Sequence, residues 1–419
     1  MLIHSAAQLL TLAGGIQRGK HLGDLGLIPN GAVLIRGEQI IATGSTPDLL
    51  AAYPDEPRFD AIGKVVMPGF VDPHTHLIFM GNRALEFEMR LEGKSYMEIM
   101  KAGGGIVNTV KATRQASLAD LKQTARNRMD GMLKHGTTTA EAKSGYGLEF
   151  NSEITQLQAI LELDQEHALD LAPTFLGAHA IPEEYLDDSD GFTLEIIESM
   201  LPGLLSWWKA NAAAKPLPFV DVFCETGAFS LAQTRRILEK AQQLGFPLKV
   251  HADEFDNLGG TSLAVSLGAV SADHVVKTSA QDIDALAQSN TVAVALPPTP
   301  FGLAQSEYTP AKQILEAGGI LAIASDLNPG TAWCENMQFV IALACRYLNI
   351  TPAQAIAAAT VNAAAAIGRA DRIGSLEPGK QADLLVLSCG DYRNLGYQFG
   401  SNQVDRVMKR GQWVAINNT

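Results

Sequence analysis

Short apolar runs recur along the middle of the chain, and each is followed by a stretch with helical spacing. The first, VVMPGFVDPHTHLIFM at 65–80, contains His74 and His76, and seven more follow at 136–142, 172–178, 219–224, 247–251, 269–274, 291–296 and 320–326. Helical stretches such as 118–133, 152–167 and 231–244 lie between them. Strands that are apolar on both faces and alternate with helices form parallel sheets. Eight such units predict an α/β protein with a closed (β/α)8 TIM barrel.

The two ends of the chain have a different pattern, with short apolar runs joined by tight turns. The N-terminal runs at 32–35 and 39–41 flank Arg36-Gly37-Glu38, and similar runs occupy 382–387, 404–408 and 411–414. This spacing is typical of β-hairpins. Neither end has enough strands to bury a core alone, so we expect them to pair into one small β-sandwich domain. The expected division is 1–63 and 369–419 for the two parts of that domain, with the barrel at 64–368.

Polar side chains collect where the predicted strands end. The strand ends hold five of the nine histidines and several other reactive groups: His74, His76, Glu141, Lys143, His179, Cys224, Glu225, His251, His274 and Asp326. Barrel enzymes place their chemistry at the C-terminal ends of the strands. The pattern therefore predicts one functional site at that face of the barrel.

The composition excludes some classes of partner. The chain has 419 residues and a formal net charge of −13, which argues against binding to nucleic acid phosphates. The first fifteen residues lack a basic n-region, and no apolar run is long enough to span a bilayer. Four scattered cysteines without a CxxC motif suit a reducing compartment. We expect a cytoplasmic protein with no nucleic-acid or membrane partner, and the many apolar helices favour a homodimer.

His74 and His76 share one face of an extended strand and can bind a divalent metal, although two polar residues at a strand end would have the same spacing. With His251 and Asp326 they supply three imidazole nitrogens and a carboxylate. This set suits one Zn²⁺ or Fe²⁺/Fe³⁺ ion per chain and leaves room for a water. Such a metal can lower the pKa of water to about 7.

Three residues are candidates for acid–base chemistry: Glu254, His274 and Asp326. Glu254 follows His251 by three residues and could carry a proton from the metal water to a leaving nitrogen. Alternatively, Glu254 belongs to a solvated helix N-terminus, which is the interpretation we favour for Asp253. His274 could donate a hydrogen bond to a developing oxyanion. The sequence leaves open which of the three is the general base.

These features resemble the amidohydrolase superfamily of metal-bearing (β/α)8 barrels. That superfamily has HxH on strand 1, His on strands 5 and 6 and Asp on strand 8, and the phrase GSLEPGKQADL at 374–384 also fits. Binuclear members have a bridging Lys or Glu on strand 4, whereas here strand 4 ends in Phe223-Cys224-Glu225. The HxxE spacing at His251 and Glu254 looks like the mononuclear branch. The resemblance therefore implies a single metal.

Longer strings, among them AEAKSGYGL, DVFCETGAFS, HADEF and SDLNPGTA, look like the imidazolonepropionase family. This resemblance implies hydrolytic opening of 4-imidazolone-5-propanoate to N-formimidoyl-L-glutamate in L-histidine degradation. The chain departs from the family at Pro297-Pro298, where a Gly usually precedes the Thr, and at the variable loop Glu307-Tyr308-Thr309. Neither departure changes the proposed metal ligands.

A small anionic cyclic amide needs a cation for its carboxylate tail and polar contacts for its ring. Arg83 is the nearest candidate cation in sequence, and its alternative is a surface ion pair. Tyr146 lies on a glycine-flanked loop that could close over the ligand or be an ordinary turn. Tyr96 is either a core residue or part of a lid, and Gly103-Gly104-Gly105 is expected to form a flexible active-site loop. The full set of expected substrate contacts is Arg83, Tyr96, Tyr146, His179, Glu254, Asn328, Gly330 and Thr331.

Two other functions are compatible with parts of this pattern. A related mononuclear amidohydrolase that deaminates a purine or pyrimidine ring would share every metal residue. A non-catalytic barrel used as a scaffold would typically have lost metal ligands, and all of them are present here. Metal analysis separates the scaffold from the enzymes, and ammonia release from bases identifies the deaminase.

Overall fold

The computed structural model describes residues 1–94, 98 and 104–416. In chain order its strands are β1 (Leu2–Leu10), β2 (Leu27–Arg36), β3 (Gln39–Ser45), β4 (Arg58–Asp60), β5 (Val65–Pro68), β6 (Phe70–Asp72), β7 (Thr137–Lys143), β8 (Asp170–Ala178), β9 (Phe219–Cys224), β10 (Lys249–Ala252), β11 (Ser271–His274), β12 (Val292–Ala295), β13 (Ile320–Ile323), β14 (Leu384–Leu387), β15 (Val404–Lys409) and β16 (Gln412–Ile416).

The helices surround these strands. They span Thr46–Ala52, Ala84–Leu91, Ile106–Gln115, Leu118–Lys134, Phe150–Glu166, Ser189–Glu195, Leu201–Asn211, Leu231–Gln243, Gly260–Ser266, Ala280–Ala287, Pro298–Gly302, Ala311–Ala317, Met337–Leu343, Pro352–Ala358, Val361–Ala366 and Asn394–Tyr397. Short 3₁₀ turns lie at Gly19–His21 and Glu183–Tyr185, and π-helical turns at Ile196–Met200 and Ala344–Leu348. Ser117 and Ser230 are the N-cap residues of two helices predicted from the sequence, Leu118–Lys134 and Leu231–Gln243. Each forms a capping box that satisfies free amides of the first turn.

Strands β6 to β13 form one parallel sheet in sequential order, which confirms the predicted (β/α)8 barrel. Its first and last strands meet just beyond their ends, where Thr75 bridges Leu327. There the amide of Asp326 donates to the carbonyl of His74 (3.1 Å), and the amide of His76 donates to that of Leu327 (2.9 Å). The closure of the barrel therefore joins the segments that carry three candidate metal ligands.

The remaining strands form a second sheet in the order β16-β15-β14-β5-β1-β2-β3, with β4 paired to β1. The C-terminal strand β14 is antiparallel to β5, and β5 is parallel to β1. The prediction that both ends of the chain build one small β domain is confirmed. This sheet buries its own apolar cluster, which includes Ile3, Val33 and Leu384.

The run at 65–80 is not one strand, as the sequence pattern suggested. Val65–Pro68 belongs to the terminal sheet and Phe70–Asp72 to the barrel, so the chain passes between the two sheets at Gly69 rather than at residue 64. A side chain at Gly69 would collide with that of Thr138. His74 and His76 consequently follow the strand instead of lying on it.

A buried helix and a group of buried charged side chains lie against the barrel strands. Helix Val361–Ala366 is buried along its whole length and packs against β6, β12 and β13. Within the barrel, several charged side chains occupy positions on the strands: Glu141, Lys143, Asp221, Lys249 and Asp273 are all fully buried. None of the described helices has both the length and the apolar character needed to cross a membrane.

Candidate metal centre and active site

The four candidate metal ligands converge at the C-terminal end of the barrel. Oδ1 of Asp326 lies 3.4 Å from Nε2 of His74 and 3.4 Å from Nε2 of His76. Nε2 of His251 lies 3.4 Å from Nε2 of His76. Ligand atoms bound tetrahedrally at about 2.1 Å are about 3.4 Å apart. The observed separations therefore match those of a tetrahedral site.

The buried atoms of these residues also fit a metal. Nε2 of His74 is buried and has no hydrogen-bond partner among the described residues. Such an orphaned nitrogen costs free energy unless something binds it. His74 can share an ion either with His76 and Asp326 or with His251 and His274. Three imidazoles and one carboxylate suit zinc or iron.

Two carboxylates orient the imidazoles from below. Oδ2 of Asp273 lies 2.7 Å from Nδ1 of His74, and Oδ2 of Asp221 lies 2.9 Å from Nδ1 of His251. A carboxylate at Nδ1 favours the tautomer with the proton there, so Nε2 keeps its lone pair for a metal. The hydroxyl of Thr299 donates to Oδ2 of Asp326, so Oδ1 alone faces the histidines.

Sequence reasoning missed Asp221, Asp273 and Thr299 as parts of the site. Asp221 is a single acidic residue within the apolar run FVDVFC, and Asp273 directly precedes His274 in SADH. An isolated carboxylate in a buried strand needs a partner, so both positions carried a usable signal. Thr299 had no such signal.

The electrostatics of the site favour the neutral form of His76, His251 and His274 and the ionised form of Asp326, whereas the pKa of His74 is shifted in the other direction. Burial lowers the pKa of His76 to about 4 and also lowers those of His251 and His274. Burial opposes ionisation of Asp326, but contacts with His74 and His76 hold its pKa well below the usual value. For His74, burial and Lys143 lower the pKa, while Asp273 and Asp326 raise it more.

Glu254 lies beside His274 and not on a solvated helix end. Its Oε2 is 3.6 Å from Nε2 of His274, and only 9% of its side chain is exposed. Burial, Asp326 and Glu225 together raise the pKa of Glu254 well above its ordinary value. Asp253 lies at a helix N-terminus, as expected, but it is fully buried and not solvated. Its carboxylate accepts from the amides of Leu258, Gly260 and Thr261 at the start of helix Gly260–Ser266.

Two of the site residues have left-handed backbone conformations. His274 has φ of 75° and Asp326 has φ of 52°. Such angles are uncommon for residues other than glycine and are concentrated at functional sites. They turn the chain sharply at the ends of β11 and beyond β13. No local pattern in the sequence indicates these turns.

Tyr146 and His179 line the next layer of the site. The His179 ring stacks on His76 with centroids 4.8 Å apart and an interplanar angle of 19°, and the Tyr146 ring lies 5.2 Å from His179. Nδ1 of His179 lies 2.8 Å from the carbonyl of Gly145. The carboxylate of Glu153 holds this loop, because it accepts from the amides of Gly145, Gly147 and Leu148 (2.7–2.8 Å).

Arg83 is half-buried and lies against the segment that follows Asp326. Its Nε donates to the hydroxyl of Thr109 (3.1 Å), and its Nη1 packs on Gly330. Its charge reaches Tyr146, where it opposes the rise in pKa that burial causes. Arg83, Gly330 and Tyr146 thus form one wall beside the candidate metal centre.

Asn328 and Thr331 hold this segment in shape. Nδ2 of Asn328 donates to the carbonyl of Asp326 (2.7 Å), and its Oδ1 accepts from the amides of Gly330 and Thr331 (2.8 Å each). The hydroxyl of Thr331 also contacts Asn328. Most of the hydrogen-bonding capacity of Asn328 is therefore used inside the loop. Tyr96 and Gly103 lie outside the described residues.

The chain matches the model of the amidohydrolase family over residues 65–414 and that of the bacterial imidazolonepropionase-like composite domain over residues 31–55. It is 51% identical over 416 residues to the imidazolonepropionase of Herpetosiphon aurantiacus, covering 99% of this chain and 97% of that protein. The chain belongs to the imidazolonepropionase family of amidohydrolases. A second relative with this name, from Chloroflexus aggregans, is 47% identical over 100% of this chain and 99% of its own length.

Solved structures of other amidohydrolases share the fold of this imidazolonepropionase family member. An adenosine deaminase from Xanthomonas campestris with bound zinc superimposes with a TM-score of 0.68 over 98% of this chain and 92% of that one. The two sequences are 20% identical, so the likeness concerns the fold alone.

The departure from the imidazolonepropionase pattern at Pro297-Pro298 has a structural consequence. The two prolines begin the short helix Pro298–Gly302, where their fixed φ and missing amides are tolerated. This helix presents the Thr299 hydroxyl to Asp326. In the second departing loop Glu307 pairs with Lys277 at the surface, while the Thr309 hydroxyl donates to the carbonyl of His274 (2.7 Å).

Proposed function

We propose that the chain hydrolyses the ring amide of 4-imidazolone-5-propanoate to give N-formimidoyl-L-glutamate, a step of L-histidine degradation. The observation that carries this proposal is the segment from Asp326 to Thr331. It supplies one candidate metal ligand and holds Arg83 beside the same site. The names of the family relatives support the choice of substrate.

We assign one zinc or iron ion to His74, His76, His251 and Asp326. When bound, the metal would supply an acidified water and polarise the carbonyl oxygen of the ring amide. Asp221 and Asp273 keep the two imidazoles oriented with Nε2 toward it.

The proton transfers fall to Glu254. The attacking water must lose a proton, and the departing ring nitrogen must gain one. Oδ2 of Asp326 accepts from Thr299 and Oδ1 faces the histidines, so Asp326 is already engaged. Glu254 has a raised pKa because of burial, so its carboxyl group can hold the transferred proton. His274 stands next to it and can donate from Nε2 to the developing oxyanion.

The proposed substrate contacts follow from the tautomer of His179 and the positive charge of Arg83. Nδ1–H of His179 donates to the carbonyl of Gly145, which leaves its Nε2 as an acceptor for a ring N–H. The guanidinium of Arg83 pairs with the propanoate. The Tyr146 ring, whose centroid lies 5.9 Å from that of His76, contacts the substrate near the metal centre. Gly330, Asn328 and Thr331 shape the wall behind the tail. Tyr96 stays a prediction, as do the homodimer and the cytoplasmic location.

The test is the disappearance of 4-imidazolone-5-propanoate absorbance on addition of the purified protein, with mass spectrometry of the product. A product that is one water heavier than the substrate is expected. No turnover of this compound, together with release of ammonia from a purine or pyrimidine base, would instead identify a ring deaminase.

A further inference from the structure

A buried lysine links the two carboxylates that orient the metal-site histidines. Nζ of Lys143, at the end of β7, lies 2.7 Å from Oε1 of Glu141, 2.7 Å from Oδ2 of Asp221 and 3.8 Å from Oδ2 of Asp273. All four side chains are completely buried. Nothing in the metal chemistry proposed above uses this ammonium group directly.

The strand arrangement explains how the three groups meet. Lys143, Asp221 and Asp273 lie on β7, β9 and β11, which are alternate strands of the barrel. Side chains of alternate strands form common layers inside a (β/α)8 barrel. The layer below the metal centre is thus ionic where an apolar one is usual. Asp273 is also approached by Lys249, whose Nζ lies 3.3 Å from its Oδ2.

The net charge of this network can be balanced by one divalent cation. Lys143 and Lys249 carry two positive charges, while Glu141, Asp221, Asp273 and Asp326 carry four negative ones. With neutral imidazoles the network has an excess of two negative charges, which one divalent metal ion balances. Buried ion pairs of this kind often add little stability compared with apolar residues of similar size. Stability alone therefore does not account for this buried network.

We propose that Lys143 is a positioning residue of the metal centre, which holds Asp221 and Asp273 so that His251 and His74 both present Nε2 to the metal. This inference rests on the proposed metal site. Without the ammonium group, the buried carboxylates of Glu141 and Asp221 would lose their shared counter-charge, and Asp273 would keep only Lys249. The repulsion among these carboxylates would displace Asp221 and Asp273 from the two Nδ1 atoms. The imidazoles would then lose the partners that fix their orientation.

The experiment compares Lys143→Met with Lys409→Met in the full-length chain. Lys409, on β15 of the terminal sheet, is a matched control because its side chain is also buried. Its Nζ contacts two carboxylates, that of Asp383 (2.5 Å) and that of Asp170 at the start of β8 (2.7 Å). Zinc affinity is measured by competition with a chromophoric chelator, and the absorption spectrum of the Co²⁺-loaded protein reports the coordination geometry. Thermal unfolding is recorded for both variants.

Lys143→Met is expected to weaken zinc binding by about 10–100-fold and to change the Co²⁺ spectrum. The zinc affinity of Lys409→Met should stay within threefold of that of the wild type, even if its unfolding temperature falls. The double variant Lys143→Met/Asp221→Asn should lose zinc affinity by a smaller factor than the product of the factors for the two single variants, because both residues act through His251.

Zinc affinity of Lys143→Met within threefold of the wild type would overturn the inference and leave Lys143 a structural residue. Fully multiplicative losses in the double variant would overturn it as well. Should Lys143→Met not fold, Lys143→Gln, which removes the positive charge on which the proposal depends, is judged by the same limits. A wild-type chain that binds no zinc or Co²⁺ would contradict the proposed metal site itself.

Discussion

Arg83 lies so close to Gly330 that there is no space for a side chain at residue 330. A Cβ there would be 2.5 Å from Nη1 of Arg83 and 3.4 Å from Oδ1 of Asn328. Gly330 has an ordinary backbone conformation, so a side chain at this position is opposed only by the present position of the Arg83 guanidinium. In the wall of the site beside Asp326, the guanidinium of Arg83 therefore occupies the space that a side chain at residue 330 would fill.

Gly330→Ala should raise KM with little change in stability. The new methyl group would meet the flexible end of Arg83, which can move away at little cost but then no longer lies where the propanoate binds. Gly302→Ala serves as the contrast, because its methyl group would meet the backbone carbonyl of Thr331 and should lower the unfolding temperature. Steady-state kinetics and thermal unfolding distinguish the two. Unchanged KM in Gly330→Ala would mean that the position of Arg83 is not critical.

Arg83→Met should raise KM by about 10–100-fold, since a charge-assisted contact contributes about 1.5–3 kcal/mol. The contact is made in both the ground state and the transition state, so kcat should change much less. Lysine at this position should restore part of the loss, because it retains the charge without the planar fork. A normal KM in Arg83→Met would show that another group holds the carboxylate.

One equivalent of zinc or iron per chain is expected, and chelation should abolish activity. His76→Ala should lose the metal yet remain folded, since the barrel core does not depend on this ring. Because a ligand that binds only the folded state stabilises it, metal removal should also lower the unfolding temperature of the wild type. Elemental analysis measures the stoichiometry. Two tightly bound ions per chain would contradict the mononuclear site.

Glu254→Gln should lower kcat by about 10²–10⁴-fold with the metal retained. The amide has the same shape as the carboxyl group but cannot carry the proton to the leaving nitrogen. Metal content and circular dichroism provide the controls. Activity within threefold of the wild type would assign proton transfer to another residue, with His274 the nearest alternative.

Asp170→Asn should destabilise the protein at neutral pH by about 1.5–3 kcal/mol. Burial raises the pKa of Asp170, but Lys409 and Arg410 lower it more, so the folded-state value lies below the usual one. A depressed carboxyl pKa adds stability above about pH 4, and this contribution disappears as pH falls through the folded-state value. The difference in urea unfolding between wild type and variant should therefore shrink from pH 7 to pH 3. A constant difference would exclude the ionic contribution.

Much of the architecture could be predicted because its signals are local. Buried apolar runs separated by helices indicated the barrel, and the fact that parallel strands end at a common face placed His74, His251 and Asp326 near one another. The expectation of one continuous strand through His76 was wrong. The apolar pattern is the same on both sides of Gly69, and only the packing against Thr138 and β14 shows that the chain changes sheets there.

The sequence by itself determined the fold class, the two-ended β domain and the residue types of the candidate metal centre, since periodicity and strand-end chemistry depend on neighbours along the chain. Tertiary structure alone decided which groups surround that centre. Asp273 reaches His74 across 199 residues, Lys143 reaches Asp221 across 78, and Arg83 packs against Gly330. These contacts depend on strand register, left-handed turns at His274 and Asp326, and side-chain volume. No local pattern encodes these quantities, because they arise only when distant segments pack together.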